Sequence, residues 1–347
     1  MRILVYGAGN IGSLYAALLQ ESGQDVSILA RGKRLKEIRS RGIWLEDALT
    51  GRETTSKVEV VARLDAQDRY DFVLVVLPKN HVSEVLPILR ENRRTPNIVF
   101  FGNNAAGATE MEEALGRERV LLGFPGAAAT VDHHTLRYLI LAAGEQPTTL
   151  GELDGTRSAR IEELGAGLEA AGFPVSICSR MDSWLKTHAA EIWPTANALY
   201  AAGGDIDRLV RTPDALVLML RGILEGYRAL TVLGIPITPA NHNIFRWLPE
   251  PVLLWLAKKM LQSNGVDIKI GHALAARDEM RVLSKELQEL IRTSGVEAPA
   301  TEVLGRYVDP HTDPLADGSS QIPVRRKMLW FGLGLLAILA VLVSLLT

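Results

Sequence analysis

The hexapeptide Gly7-Ala8-Gly9-Asn10-Ile11-Gly12 has the GxGxxG spacing of a phosphate-cradling turn. At the first position a glycine permits a tight turn, and at the second it lets the backbone approach a pyrophosphate. At the third it lets a helix pack closely on a strand. The context supports this reading. Residues 2–6 form a short apolar run, and Leu14, Tyr15, Leu18 and Leu19 recur at helical spacing until Gly23. Residues 25–30 supply a second strand and complete a β-α-β unit, whose helix start would offer its free N–H groups to the phosphates. All six turn residues are therefore expected to contact a dinucleotide. Arg31, followed by Lys33 and Arg34, stands where an NAD-preferring site would place a carboxylate. A guanidinium grips a 2′-phosphate bidentately where a carboxylate would repel it, so the expected cofactor is NADP(H).

The elements that must hold this turn follow in order. Residues 71–77 and 97–101 are apolar strand runs, 81–92 has helical periodicity, and 119–124 reads as another strand. The succession predicts a doubly wound parallel sheet, with ligands at the carboxyl ends of its strands. Pro78, Lys79 and Asn80 occupy one such end, and Asn103 and Asn104 another. Lys79 and Asn103 are accordingly expected beside the cofactor. Residues 136–142 and 148–150 read as a last strand pair. Beyond residue 155 strand signals nearly vanish, and helical patterns cover 157–171, 182–202, 213–233, 251–262 and 272–294.

Composition narrows the function classes. The chain has 347 residues, 47% of them apolar and 22% charged, with 38 Lys+Arg against 40 Asp+Glu. That balance fits a folded chain of two domains and gives no reason to expect nucleic-acid binding. Cys178 stands alone, which excludes an internal disulfide or a multi-cysteine metal site and fits a reducing compartment. No metal-ligand spacing stands out. Residues 328–347 are about 20 residues without a charge, long enough as a helix to span roughly 30 Å of hydrocarbon. Arg325, Arg326 and Lys327 precede that run and Trp330 lies near its start, as at a membrane interface. Residues 309–323, rich in Pro, Asp, Gly and Ser, read as a flexible linker. The expected organisation is a Rossmann-type α/β domain over 1–155 and an all-α substrate and dimerisation domain over 156–305. A linker over 306–327 and a single C-terminal transmembrane helix over 328–347 follow, with the body in the cytoplasm.

Four stretches, VYGAGNIGSLYAALL at 5–19, LPKN at 77–80, FFGNNAAG at 100–107 and SWLKTH at 183–188, resemble the ketopantoate reductase family. The resemblance runs to about residue 304 and leaves the tail outside. It implies an NADPH-dependent reductase in which Lys186, two residues after Trp184, is the general acid. Lys186 would protonate the oxygen formed when hydride reaches a 2-oxo acid or related small carbonyl compound. Asn103 matches the asparagine expected near nicotinamide and substrate. The chain departs from the family in three places. Ala190 and Pro194 stand where the family has asparagines, and Gly265 stands where it has a site glutamate. An alternative implied by these departures is a catalytically retired NADP(H)-binding sensor or scaffold. His188 and Glu191 are poorly aligned with Lys186 along one helix, whereas His272 and Glu279, seven residues apart, would share a helix face.

Overall fold

The computed structural model describes residues 1–263, 265–266, 268 and 276–325, and these fall into two compact units. The first comprises residues 1–189 and 267–288; the second comprises 190–266 and the chain from 289 onward.

Twelve strands lie in the first unit: β1 (Arg2–Tyr6), β2 (Asp25–Leu29), β3 (Ile43–Asp47), β4 (Glu53–Ser56), β5 (Glu59–Val61), β6 (Phe72–Val75), β7 (Asn97–Phe101), β8 (Val120–Phe124), β9 (Ala127–Asp132), β10 (Thr135–Ile140), β11 (Thr148–Glu152) and β12 (Val175–Ile177). Eight form one sheet in the order β12-β11-β8-β7-β6-β1-β2-β5, parallel except where β11 meets β8. The central strands are apolar on both faces, as a parallel sheet covered on both sides requires. Alternate residues of β1 feed two cores. Ile3 and Val5 pack with Leu14 and Leu19 of α1 (Asn10–Glu21) and with Leu164 of α5 (Ala159–Ala170). Leu4 and Tyr6 pack with Leu89 of α3 (Val82–Glu91), Met111 of α4 (Thr109–Leu115) and Leu185 of α6 (Met181–Ala201). The doubly wound α/β fold read from the alternating pattern is thus observed.

Two features differ from the sequence expectation. Residues 136–142 and 148–150 do not pair with each other: β10 joins β9 and β3 in a separate four-stranded sheet, whereas β11 extends the main sheet. The boundary expected near residue 155 also falls later, because α5 packs on the sheet and β12 pairs with β11.

The second unit is helical, with α7 (Ile206–Arg211), α8 (Pro213–Val232), α9 (Glu250–Leu261) and a short Pro299–Gly305 helix. Glu225 of α8 is buried at the start of that short helix. It accepts from the Ala300 and Thr301 amides at 3.1 and 2.8 Å, where a carboxylate satisfies the free N–H groups and the helix dipole. Residues 309–323 have the irregular backbone expected of their composition, yet they run as a strap along this unit. Leu315 donates to Ala201, Asp317 pairs with Arg211, and Asp214 accepts from the Gln321 and Ile322 amides. Among the described residues no helix is long and apolar enough to cross a membrane. The expected span at 328–347 lies outside the described residues, as does His272.

Candidate active site

Three turns at the carboxyl ends of β1, β6 and β7 lie against one another in the first unit. Gly7 holds φ +125°, and a methyl group there would lie 2.3 Å from the Val76 carbonyl oxygen in the turn after β6. At Gly12 a methyl group would meet the Gly7 carbonyl oxygen at 2.0 Å, so only hydrogen fits between α1 and the turn. Gly9 differs from both: its extra methyl would have nothing within 4 Å. Packing therefore explains the glycines at 7 and 12 but not at 9, where the space faces outward over the first turn of α1. The amides of the first helical turn have no partner within the helix, so positive partial charge faces that open space. The side chain of Asn10 turns elsewhere, donating to the Ala129 carbonyl at 3.2 Å.

Arg31 caps the helix α2 (Gly32–Arg41) and donates to the Tyr6 hydroxyl at 3.2 Å. Arg34 folds back onto the glycine turn, donating to the Ala8 carbonyl at 3.3 Å and to Ser13 Oγ at 3.0 Å. Two guanidinium groups thus border the turn. The sequence pointed to Arg31; the contact of Arg34 appears only in three dimensions.

The turn after β7 is held by the Arg277–Ser294 helix. Glu279 and Glu286, two turns apart on that helix, both reach it. Glu279 Oε1 accepts from Asn103 Nδ2 at 3.1 Å and faces the Lys79 amide at 3.4 Å. Glu286 Oε2 accepts from the successive amides of Ala105 and Ala106 at 2.8 and 3.1 Å. Its other oxygen lies 3.5 Å from Lys79 Nζ, which also donates to Asn104 Oδ1 at 3.0 Å. Side chains of Lys79 and Glu286 are 9% and 11% exposed, so this charge pair is nearly dry and fixes the turn rather than decorating it. Asn103 is buried, and among the described residues its Oδ1 accepts no hydrogen bond. A buried carbonyl oxygen without a donor is an acceptor awaiting one.

Lys186 projects from α6 toward the same turn. Its Nζ pairs with Asp182 one helical turn earlier, and a methyl group on Gly107 would lie 3.6 Å from that nitrogen. Trp184 and His188, on either side of Lys186 in sequence, stack with each other at 5.2 Å between ring centres. The stack packs on Phe124, which explains His188 as a wall of the core. Cys178 is half-buried, and burial pushes its thiol above the ordinary range, which suits packing and not nucleophilic attack.

Ala190 and Pro194, which replace the expected asparagines, belong to the second unit. A methyl group on Gly226 of α8 would lie 2.8 Å from the Ala190 side chain, and one on Gly222 would lie 3.1 Å from Pro194. Small residues face small residues at successive turns, so α6 and α8 approach closely where polar side chains would stand. Next to this seam Glu191 accepts from the Tyr227 hydroxyl and pairs with His242 Nδ1 at 2.6 Å. Gly265 also lies in the second unit. The carboxylates that do reach Asn103 and Lys79 are Glu279 and Glu286. Of these, only Glu279 carried a sequence signal; the seven-residue repeat to Glu286 was the available clue.

Residues 3–155 match the family model described as Ketopantoate reductase PanE/ApbA. A 2-dehydropantoate 2-reductase of Mesorhizobium japonicum is 27% identical over 211 residues, covering 54% of this chain and 63% of that protein. The chain thus spans less than two thirds of that relative's length. Among solved structures, 2-dehydropantoate 2-reductase of Geobacter metallireducens is 21% identical with a TM-score of 0.70, covering 90% of this chain and 100% of that one. A ternary structure of D-mandelate dehydrogenase with NADH and anilino(oxo)acetate is 16% identical with a TM-score of 0.71, covering 89% and 97%. The fold is therefore the one these dehydrogenases share. The family likeness read from the motifs is borne out over residues 3–155.

Proposed function

We propose that this chain is an NADPH-dependent reductase of a 2-oxo acid or related small carbonyl compound, carried on a membrane by its C-terminal stretch. The observation that carries the reading is the meeting of Lys186 with the Asn103–Gly107 turn, at the strand ends that also bear the glycine turn. Bound NADPH would supply the hydride. The open space at Gly9 and the α1 amides would hold its pyrophosphate, with Arg31 and Arg34 on the 2′-phosphate. The similarity to 2-dehydropantoate 2-reductases and the NADH complex of a structural neighbour support a nicotinamide cofactor; the two arginines favour the phosphorylated form.

The protein's own groups then have separate tasks. Lys186 keeps its ammonium beside Asp182, where positive charge stabilises a developing alkoxide and an N–H proton is available to it. Asn103 offers Oδ1 to a donor on substrate or carboxamide, while Glu279 fixes its amide orientation. Glu286 and Lys79 brace the turn so that Asn103 is preorganised. Ala190 and Pro194 stand where the family pattern has asparagines, so those two amides are absent from this chain, which favours a 2-oxo acid other than ketopantoate. The test is NADPH oxidation across a panel of 2-oxo acids by the full-length protein in detergent. Turnover that disappears in Lys186→Ala supports the reading. Tight NADPH binding with no turnover of any panel member would replace it by a sensor or scaffold.

A further inference from the structure

Helix α9 carries an exposed apolar stripe next to its buried one. Leu253, Ala257 and Leu261 are buried in the second unit, whereas Val252, Trp255, Leu256 and Met260 stand exposed at 37, 59, 36 and 54%. Just before the helix, Ile244 and Trp247 are exposed at 56 and 72%. Single exposed apolar residues are ordinary, whereas six between residues 244 and 260 are not. The setting says what covers this set. Glu250, the first residue of α9, accepts from Arg221 at 2.8 and 3.0 Å and from the backbone amide of Arg325 at 3.1 Å. Arg221 also holds the Pro323 carbonyl at 2.7 Å. The strap therefore ends at the head of α9, and only Arg326 and Lys327 separate Arg325 from the uncharged run at 328–347. Arg246, Lys258 and Lys259 accompany the exposed apolar residues.

We propose that the outer side of α9, with Ile244 and Trp247, lies in the headgroup–acyl boundary of an anionic bilayer, next to where the tail leaves the folded body. The proposal rests on reading residues 328–347 as a membrane anchor. At 12 residues α9 reaches roughly 18 Å, too short to span a bilayer, so it lies along the surface. Trp247 and Trp255 are the side chains that prefer this boundary, and the surrounding Lys and Arg attract anionic headgroups. The surface contact would fix the orientation of the second unit on the membrane, which a single tail cannot do.

The experiment uses the full-length chain carrying Trp330→Phe, reconstituted in vesicles of phosphatidylcholine with phosphatidylglycerol, with and without brominated acyl chains. Co-flotation with the vesicles reports the anchor; quenching of tryptophan emission by the brominated lipid reports the α9 side. The proposal expects co-flotation together with quenching that falls at least about threefold when Trp247→Phe and Trp255→Phe are added. Co-flotation with emission that the brominated lipid leaves unchanged overturns the proposal while the anchor stands. Failure to co-float overturns the anchor reading and the proposal with it. A doubled mass in detergent that Trp255→Glu halves, with no quenching in vesicles, would make this side the contact between two copies and overturn the bilayer assignment.

Discussion

Lys186 and Gly9 are single residues whose roles separate cleanly by substitution. Lys186 pairs with Asp182 on its own helix, so Lys186→Ala should leave the fold intact. It removes both the proton donor and the positive charge, which should lower kcat by roughly 10²–10⁴ with little change in the Kd for NADPH. Stopped assays with a substrate found by panel screening check this, and equal loss of NADPH affinity would place Lys186 in the cofactor site instead. The glycines make a second contrast. Gly12→Ala drives a methyl group into the Gly7 carbonyl and should destabilise the first unit by about 1–3 kcal/mol. Gly9→Ala meets no protein atom, so melting should be unchanged while dinucleotide binding weakens at least tenfold. Thermal melting and a fluorescence titration on the same two variants separate a packing glycine from a ligand-facing one.

Helices α6 and α8 meet through Ala190, Pro194, Gly222 and Gly226, and the seam leaves no space for longer side chains. Restoring an asparagine by Ala190→Asn should therefore cost stability of about 1–3 kcal/mol, rather than enlarge the substrate range. Urea unfolding and the oxo-acid panel report the two effects. Beside the seam, the hydrogen bond that Glu191 accepts from His242 raises the pKa of the imidazole above its ordinary value, and this outweighs the opposing effect of burial. A raised folded value means that the pair's stabilisation is complete below the ordinary histidine range and is lost as pH rises through the folded value. Stability should thus decline from mildly acidic toward mildly alkaline pH, and Glu191→Gln should flatten that dependence in pH-resolved melts. The element scale also shows what a sequence reveals. Strands β1, β6 and β7 announced themselves by continuous apolar runs, and α1 by its glycines and spacing. The small sheet of β3, β4, β9 and β10 did not, because Glu53–Ser56 is polar and its pairing is decided by distant partners. Asn103 and Lys186 were legible from motifs, whereas Glu286 and Arg34 act through contacts 180 and 26 residues away in sequence, which no local pattern encodes.

The strap from 309 to 323 and the exposed side of α9 matter at the scale of the molecule. Composition made the strap look free, since Pro, Gly and Ser forbid helix and strand; its ordering comes from Asp214, Arg211 and Arg208 on the helices beneath. Burial pushes the Asp214 carboxyl up, but the Ile322 and Gln321 amides outweigh it and hold the pKa below the usual range. That stabilisation is present above the ordinary carboxylate value and lost as pH falls through the lowered one. Asp214→Asn should accordingly expose residues 319–323 to proteolysis at neutral pH, as acid that protonates Asp214 would do to the unaltered chain. On the proposed function, a body so strapped would act on substrates at a fixed distance from the membrane.

Whether Lys186 protonates a carbonyl oxygen at an NADPH site is decided by steady-state NADPH oxidation with the whole chain over a panel of 2-oxo acids. Turnover of at least one panel member is expected, lost in Lys186→Ala while NADPH binding persists. Turnover that survives Lys186→Ala unchanged, or NADPH binding with no turnover of any 2-oxo acid, would contradict that role.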